Sequence, residues 1–227
     1  MALDSDRVEA ITFDSFTTIV DVGTSTRRAL AEHVDDPDPV ADLWRFRAVD
    51  YRMVSTYVDT YETYEQTTRE ALEYALAVHG HDLPEEAIEE IASVFYELDV
   101  YADVRPGMER LAGEYDLYVL SNGNPALLSA MVERAGIDDL LEEVISADEI
   151  EAYKPDARIY EHGTKRVGTA IGRIAHVATP WYDVYGAMGA GMQGVWLNRS
   201  DLPWEAFDGD PDLVVRDFDE LGAAFGG

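Results

Sequence analysis

The sequence contains no cysteine, and only two of its 227 residues are lysine. The absence of cysteine excludes a disulfide framework, a thiolate metal site and a thiol nucleophile, so any chemistry must use oxygen and nitrogen atoms. There is no run of about 18 apolar residues, and the first residues lack the basic and apolar segments of a secretory leader. We therefore expect a soluble, cytoplasmic protein without a membrane partner.

Positive charge is also scarce, because 17 basic residues stand against 46 acidic ones and the net charge is −29. Nucleic acid binds through lysine and arginine, so it is not an expected partner. The acidic residues run from Asp4 to Glu220 and do not form a tail. With so little lysine, the composition resembles that of haloarchaeal proteins, since molar salt shortens the Debye length to about 3 Å and screens self-repulsion. An ordinary acidic protein of a mesophile is the alternative.

Hydrophobic residues make up 47% of the chain, which is enough for a large core and excludes overall disorder. Val8–Phe13 alternates as a short strand does and ends at Asp14. From Ser25 to Tyr96, apolar residues recur every three or four positions, as in helices. After Gly107, strand and helix patterns alternate. The predicted elements there are Leu117–Leu120, Pro125–Ala135, Glu143–Ser146, Pro155–Val167, Ile174–Ala178, Asp183–Ala190 and Gly194–Leu197.

This order of elements predicts one α/β protein, an open doubly wound parallel sheet with a helical cap inserted after the first strand. The core would comprise residues 1–19 and 100–227, and the cap residues 20–99. Hinges are expected near Gly23 and Pro106.

Four polar clusters follow predicted strands: Asp14, Ser121–Gly123, Lys154 and the run Ala178–Asp183. Ligands of such sheets bind outside the carboxyl ends of the strands, so we expect these clusters to meet beneath the cap. Each also has a simpler explanation when taken alone. Asp14 and Ser121–Gly123 suit turns, Lys154 suits the solvated start of a helix, and Asp183 suits a helix N-cap.

The motifs together resemble those of the haloacid dehalogenase (HAD) superfamily, and within it the L-2-haloacid dehalogenases. FDSFTTIVDV resembles that group's FDxYGTLFDV, and Leu43–Arg45 resembles the start of its cap. LSNGNP at Leu120–Pro125 and YKPDARIY at Tyr153–Tyr160 resemble two further motifs of the core. The resemblance covers nearly the whole chain and implies a HAD-like Rossmannoid core with an inserted helical cap.

The resemblance implies hydrolytic release of halide from small (S)-2-haloalkanoic acids without a cofactor or metal. Asp14 would attack C2 and form an ester that water then hydrolyses. Lys154 would keep Asp14 ionised, and Thr18 would help to position it. Arg45, otherwise a surface arginine, would bind the leaving halide together with Asn122.

Other residues would surround these groups, as the resemblance implies. Ser121 would bind the substrate carboxylate, and Trp44 and Tyr182 would form an apolar wall. Tyr160 and Asp183 would form a polar shell, in which Asp183 either orients Lys154 or activates the hydrolytic water.

The chain departs from both branches of the superfamily. Magnesium-dependent phosphatases carry one aspartate at the position of Phe16 and another at that of Thr179, so a phosphatase acting on an unknown small substrate is the less favoured alternative. The dehalogenases have Ser-Ser-Asn where this chain has Ala178-Thr179-Pro180, and glycine where it has Thr17. The role of the missing asparagine is therefore either lost or performed by Thr179. A catalytically impaired binding protein is therefore a second alternative.

Aromatic residues of the predicted cap, Tyr57, Tyr61 and Tyr64, could form the interface of a homodimer. Packing within the cap explains them equally well.

Overall fold

The computed structural model of the chain describes residues 3–226. Its strands are β1 (Ala10–Phe13), β2 (Val20–Asp21), β3 (Asp99–Val100), β4 (Asp116–Ser121), β5 (Glu143–Ser146), β6 (Ile174–Ala178), β7 (Gln193–Leu197) and β8 (Leu213–Val215). Six of them form one parallel sheet in the order β5-β4-β1-β6-β7-β8. The predicted α/β class with a parallel sheet is confirmed.

The helices are α1 (Val22–Leu30), α2 (Pro37–Tyr57), α3 (Tyr64–Val78), α4 (Glu85–Ser93), α5 (Val104–Leu111), α6 (Pro125–Ala135), α7 (Ala157–Val167), α8 (Trp181–Ala190) and α9 (Phe218–Ala224). Local sequence explains several of their ends. The side chains of Asp21 and Thr63 cap α1 and α3, and left-handed Gly136 ends α6. Within residues 3–226, no helix combines the length and the apolar character needed to cross a membrane.

The central strand of the sheet is β1, which pairs with β4 on one side and β6 on the other. All four of its residues are buried, as expected of a parallel strand covered on both faces. Phe13 is in register with Val119 and Val177. The carboxyl ends of three neighbouring strands therefore lie side by side, with Asp14 in the middle.

The helices α1 to α4 lie between β2 and β3, which pair antiparallel with Val20 opposite Val100 and Asp21 opposite Asp99. The chain thus leaves and re-enters the core through two adjacent short strands. These strands coincide with the predicted cap limits of 20 and 99, although an independent cap domain stays a prediction. The outer limits of the predicted core, residues 1 and 227, lie outside the described residues.

The predicted hinge residues follow the two strands of this crossing and lie in helices. Gly23 lies inside α1, and Pro106 lies in the first turn of α5, where its missing N–H costs no helical hydrogen bond. The neighbouring Gly107 has a packing role, because a Cβ there would lie 2.4 Å from Cβ of Phe218 in α9. The hinges stay a prediction, and Pro106 and Gly107 also serve helix initiation and helix packing.

Candidate active site

A cavity of about 1110 Å³ lies between the carboxyl edge of the sheet and the cap. Core residues on its wall include Asp14, Asn122, Lys154 and Asp183. The cap contributes α2, which runs along the opposite wall. The structure thus brings the predicted clusters together beneath the cap.

Asp14 lies directly after β1 and is 6% exposed. Its Oδ1 accepts a hydrogen bond of 3.1 Å from Nζ of Lys154, and its Oδ2 accepts one of 3.0 Å from the Thr18 hydroxyl. Burial raises the pKa of Asp14 above its usual value of 3.8; the charge of Lys154 opposes that shift and the charge of Asp183 adds to it. The carboxylate is therefore held in one orientation and is largely removed from water, as a nucleophile requires.

Lys154 is buried and bridges two carboxylates. Its Nζ lies 3.1 Å from Oδ1 of Asp14 and 2.7 Å from Oδ2 of Asp183. Burial alone would lower the pKa of Lys154, but the two carboxylates raise it above 10.5, so the ammonium stays charged. Its backbone N–H donates to Oδ1 of Asn122 at 2.8 Å, which ties this loop to the end of β4.

Asp183 is not a helix N-cap, because α8 begins at Trp181 and its capping residue is Pro180. The carboxylate is buried instead, and three groups donate to it. Oδ1 accepts from the Tyr160 hydroxyl at 2.8 Å, and Oδ2 accepts from Lys154. Burial alone would raise its pKa, but the charges of His176 and Lys154 hold the pKa of Asp183 well below 3.8. A carboxylate that accepts hydrogen bonds from three groups and has a low pKa is a poor base. It is well placed to orient Lys154.

The third donor, His176, was missed by the sequence analysis. It lies in β6, fully buried, with Nε2 at 2.9 Å from Oδ1 of Asp183 and Nδ1 at 2.8 Å from the Thr12 hydroxyl. The Thr12 hydroxyl also lies 3.4 Å from the Ala175 carbonyl oxygen, so both ring nitrogens of His176 have polar partners. A signal was available, because a histidine inside the apolar strand IAHVA needs polar partners on burial.

Ser121 and Asn122 are placed differently from each other. The Ser121 hydroxyl is buried, lies 2.5 Å from that of Ser15 and accepts from the Gly123 N–H at 3.0 Å. It does not line the cavity, so the structure does not present this side chain to a substrate carboxylate. Asn122 does line it. The two roles stay predictions.

The cap side of the cavity carries both charged and aromatic side chains. Arg45 of α2 lines it and is exposed. Trp44 is buried and donates from Nε1 to the Thr68 carbonyl at 2.7 Å, so it anchors α2 to α3 while lining the cavity. Tyr182 also lines the wall, where burial raises its pKa. Phe95, on the same wall, was missed.

The segment that departs from the dehalogenase motif is tied to the nucleophile. The Thr179 N–H donates to the Thr18 hydroxyl at 2.9 Å, and that hydroxyl donates to Asp14. Thr179 Oγ1 is buried without a hydrogen-bond partner among the described residues. Thr17, where the motif has glycine, adopts φ of 69°, the left-handed region that favours glycine.

The donor set does not fit a divalent cation. Phe16 occupies the position of the phosphatase aspartate and stacks on Tyr64, with ring centroids 4.5 Å apart. The Lys154 ammonium already bridges the two site carboxylates. In the described part of the chain, no group of three or more His, Cys, Asp or Glu side chains is arranged to hold a metal ion.

Of the three tyrosines considered for an interface, two pack within the chain. Tyr64 is buried, and the Tyr61 hydroxyl donates to Asp148 at 2.7 Å. Tyr57 is 91% exposed at the end of α2. The homodimer stays a prediction.

Comparisons with known proteins agree with this geometry. The sequence profile of the haloacid dehalogenase-like hydrolases matches residues 8–178. The (S)-2-haloacid dehalogenase 4A of Burkholderia cepacia is 31% identical over 201 residues, which cover 88% of this chain and 87% of the relative. The (S)-2-haloacid dehalogenase of Pseudomonas putida is 26% identical over 215 residues, which cover 94% of this chain and 95% of the relative.

Solved structures are similar over the same length. A dehalogenase described as an intermediate complex superimposes with a TM-score of 0.92 at 29% identity and covers 98% of both chains. An L-2-haloacid dehalogenase gives a TM-score of 0.93 at 27% identity, over 97% of this chain and 99% of its own. The chain belongs to the haloacid dehalogenase-like hydrolase family.

Proposed function

We propose that the protein hydrolyses small (S)-2-haloalkanoic acids to 2-hydroxy acids and halide, through an ester on Asp14. The observation that carries this proposal is the setting of Asp14, a buried carboxylate fixed by Lys154 and Thr18 at the wall of a cavity. The names of the relatives, (S)-2-haloacid dehalogenases, support the substrate class.

In the first step, a carboxylate oxygen of Asp14 attacks C2 from the side opposite the halogen. The new C–O bond forms as the carbon–halogen bond breaks, the bonding electrons leave with the halide, and C2 is inverted. Burial strips water from the nucleophile, and the bonds to Lys154 and Thr18 hold it in position. Arg45, across the cavity, supplies positive charge for the departing halide.

In the second step, water adds to the carboxyl carbon of Asp14. The bond from that carbon to the ester oxygen breaks, the 2-hydroxy acid leaves, and the carboxylate is restored with release of one proton. Lys154 lies 3.1 Å from Oδ1 and can stabilise the negative charge that develops there. Asp183 keeps the ammonium in place.

The test measures product formation from each enantiomer of 2-chloropropionate and 2-bromopropionate in concentrated KCl, with and without Mg²⁺. Lactate is followed, because chloride release cannot be resolved against the salt. We expect (R)-lactate from the (S) substrates alone, at a rate that Mg²⁺ does not change. The control Asp14→Asn replaces the nucleophile with a neutral amide and should be inactive. Lactate from the (R) substrates, or an active control, would contradict the proposal.

A further inference from the structure

Arg52 of α2 is a buried cation that the proposed reaction does not use. It is 7% exposed and lines the cavity. Its Nη1 donates to the Thr68 hydroxyl at 3.1 Å, and its guanidinium carbon lies 4.1 Å from the ring centroid of Tyr64. These contacts fix the guanidinium group against α3 without neutralising its charge.

Arginines in this acidic chain almost always have a carboxylate partner. Among the described residues, the arginines without a carboxylate within ion-pair distance are Arg45, Arg52 and Arg134. Arg134 donates to the Leu98 carbonyl and does not line the cavity. The other two both face the cavity. A buried charge is costly unless it is paired, so an unpaired Arg52 points to a missing anion.

Arg52 and the nucleophile act on the same part of the cavity. Burial raises the pKa of Tyr64 to about 12; the positive charge of Arg52 opposes this shift, and the negative charge of Asp14 adds to it. Burial also raises the pKa of Tyr182; the charge of Arg52 opposes this shift, and the charge of Asp14 adds to it. Both tyrosines line the same cavity as Asp14 and Arg52, and the guanidinium carbon of Arg52 lies 4.1 Å from the ring centroid of Tyr64, so a molecule bound at Asp14 shares its cavity with Arg52.

The cavity has room for such a molecule. Its volume of about 1110 Å³ slightly exceeds the roughly 300–1,000 Å³ usual for small-molecule sites. A three-carbon monocarboxylic acid would leave much of it unfilled. Arginine's planar group of donors matches a carboxylate through two parallel hydrogen bonds.

We infer that Arg52 binds a second carboxylate, so that the preferred substrates are 2-halodicarboxylic acids such as (S)-2-bromobutanedioate. This inference rests on the proposed function and names its substrate class. Water and 2-bromobutanedioate would give 2-hydroxybutanedioate, bromide and one proton, through the same ester on Asp14. Arg45 would remain with the halide, while Arg52 would hold the carboxylate remote from C2.

The first experiment compares kcat/KM for (S)-2-bromobutanedioate and (S)-2-bromopropionate in the wild type, Arg52→Gln and Arg47→Gln, with enzyme-free blanks for spontaneous loss of bromide. We expect the ratio of the two values to fall about tenfold to a hundredfold in Arg52→Gln, from the loss of a charge-assisted pair. Arg47 is the matched control, since it lies in the same helix, pairs with Asp50 at 3.1 Å and does not line the cavity. An unchanged ratio, or an equal loss with both substrates, would overturn the inference.

The second experiment measures binding of succinate and propionate, which carry no halogen, by calorimetry. Wild type should bind succinate more tightly than propionate, Arg52→Gln should lose that preference, and Arg52→Lys, which keeps the charge, should recover part of it. If the wild type releases no halide but shows this preference, the proposed function fails and the Arg52 subsite stands. If the wild type is an active dehalogenase that binds both acids equally, the subsite is refuted. Should Arg52→Gln fail to fold, Arg52→Lys and the wild-type comparison still decide the question.

Discussion

The hydroxyl of Thr18 links the nucleophile to the segment that departs from the dehalogenase motif, which makes Thr18→Val an informative variant. Valine keeps the shape of the side chain but removes the donor to Oδ2 of Asp14 and the acceptor for the Thr179 N–H. Thr18 is fully buried, and valine offers neither partner a replacement. A hydrogen bond to a charged group contributes about 1.5–3 kcal/mol, and an orphaned buried N–H costs about 1–3 kcal/mol. We expect the free energy of unfolding at neutral pH to fall by roughly 2.5–6 kcal/mol.

The same variant should move the pH profile of activity. Only ionised Asp14 can attack, and burial already raises its pKa above 3.8. Removing a donor to the ionised form raises that pKa further, so the acid limb of kcat/KM should move to higher pH. The pKa of Asp14 is higher in the folded than in the unfolded protein. As the pH rises from the unfolded pKa to the folded pKa, ionisation of Asp14 therefore lowers the free energy of unfolding. Thr18→Val should extend this pH range upward, because it raises the folded pKa.

The assays are lactate formation from (S)-2-bromopropionate across pH and urea unfolding at two pH values. Thr18→Ser is the matched control, because it retains the hydroxyl and should keep the wild-type acid limb. An acid limb that is the same in the valine variant, the serine variant and the wild type would refute the reasoning.

Three further predictions concern other parts of the molecule. His176→Leu removes a donor to Asp183 and should lower kcat with little change in KM. The control His162→Gln, at a surface histidine bonded to Glu149, should change neither constant. Equal effects of the two variants in steady-state kinetics would contradict this prediction. Thr17→Gly should raise the free energy of unfolding by up to about 1 kcal/mol in urea titrations. A left-handed backbone costs about 1–2 kcal/mol for residues other than glycine, and the greater chain entropy of unfolded glycine offsets about 0.5–1 kcal/mol of the gain. Clear destabilisation would show that Thr17 is not strained. With a net charge of −29, the Tm should rise from dilute buffer to multimolar KCl, and a Tm independent of salt would remove the halophile hypothesis.

Much of the core could be predicted because its patterns are local. The predicted bounds of Pro125–Ala135, Glu143–Ser146 and Ile174–Ala178 are those of α6, β5 and β6. Parallel strands are apolar on both faces and are separated by helices, which makes both kinds of element visible in sequence. Since carboxyl ends of parallel strands share one edge, the meeting of Asp14 and Lys154 also followed from sequence.

The rest depends on packing that sequence periodicity does not encode. The apolar pattern of α2 marks the face that is buried but not its partner, so the position of Arg52 against Tyr64 could not be predicted. Strands of two residues, such as β2, have no period to detect. Asp183 was open to interpretation as an N-cap because its true partner, Lys154, is distant in sequence. The short elements β8 and α9 were missed altogether.

The most direct test of the mechanism is the fate of the oxygen atoms of Asp14. The enzyme is allowed many turnovers of (S)-2-bromopropionate in water labelled with the heavy oxygen isotope, and the peptide containing Asp14 is then analysed by mass spectrometry. If the ester forms and water attacks its carboxyl carbon, each turnover exchanges an Asp14 oxygen for one from water. We therefore predict heavy oxygen in Asp14 and none in Asp183. Product formation with an unlabelled Asp14 would mean that water attacks C2 directly, and it would contradict the ester mechanism.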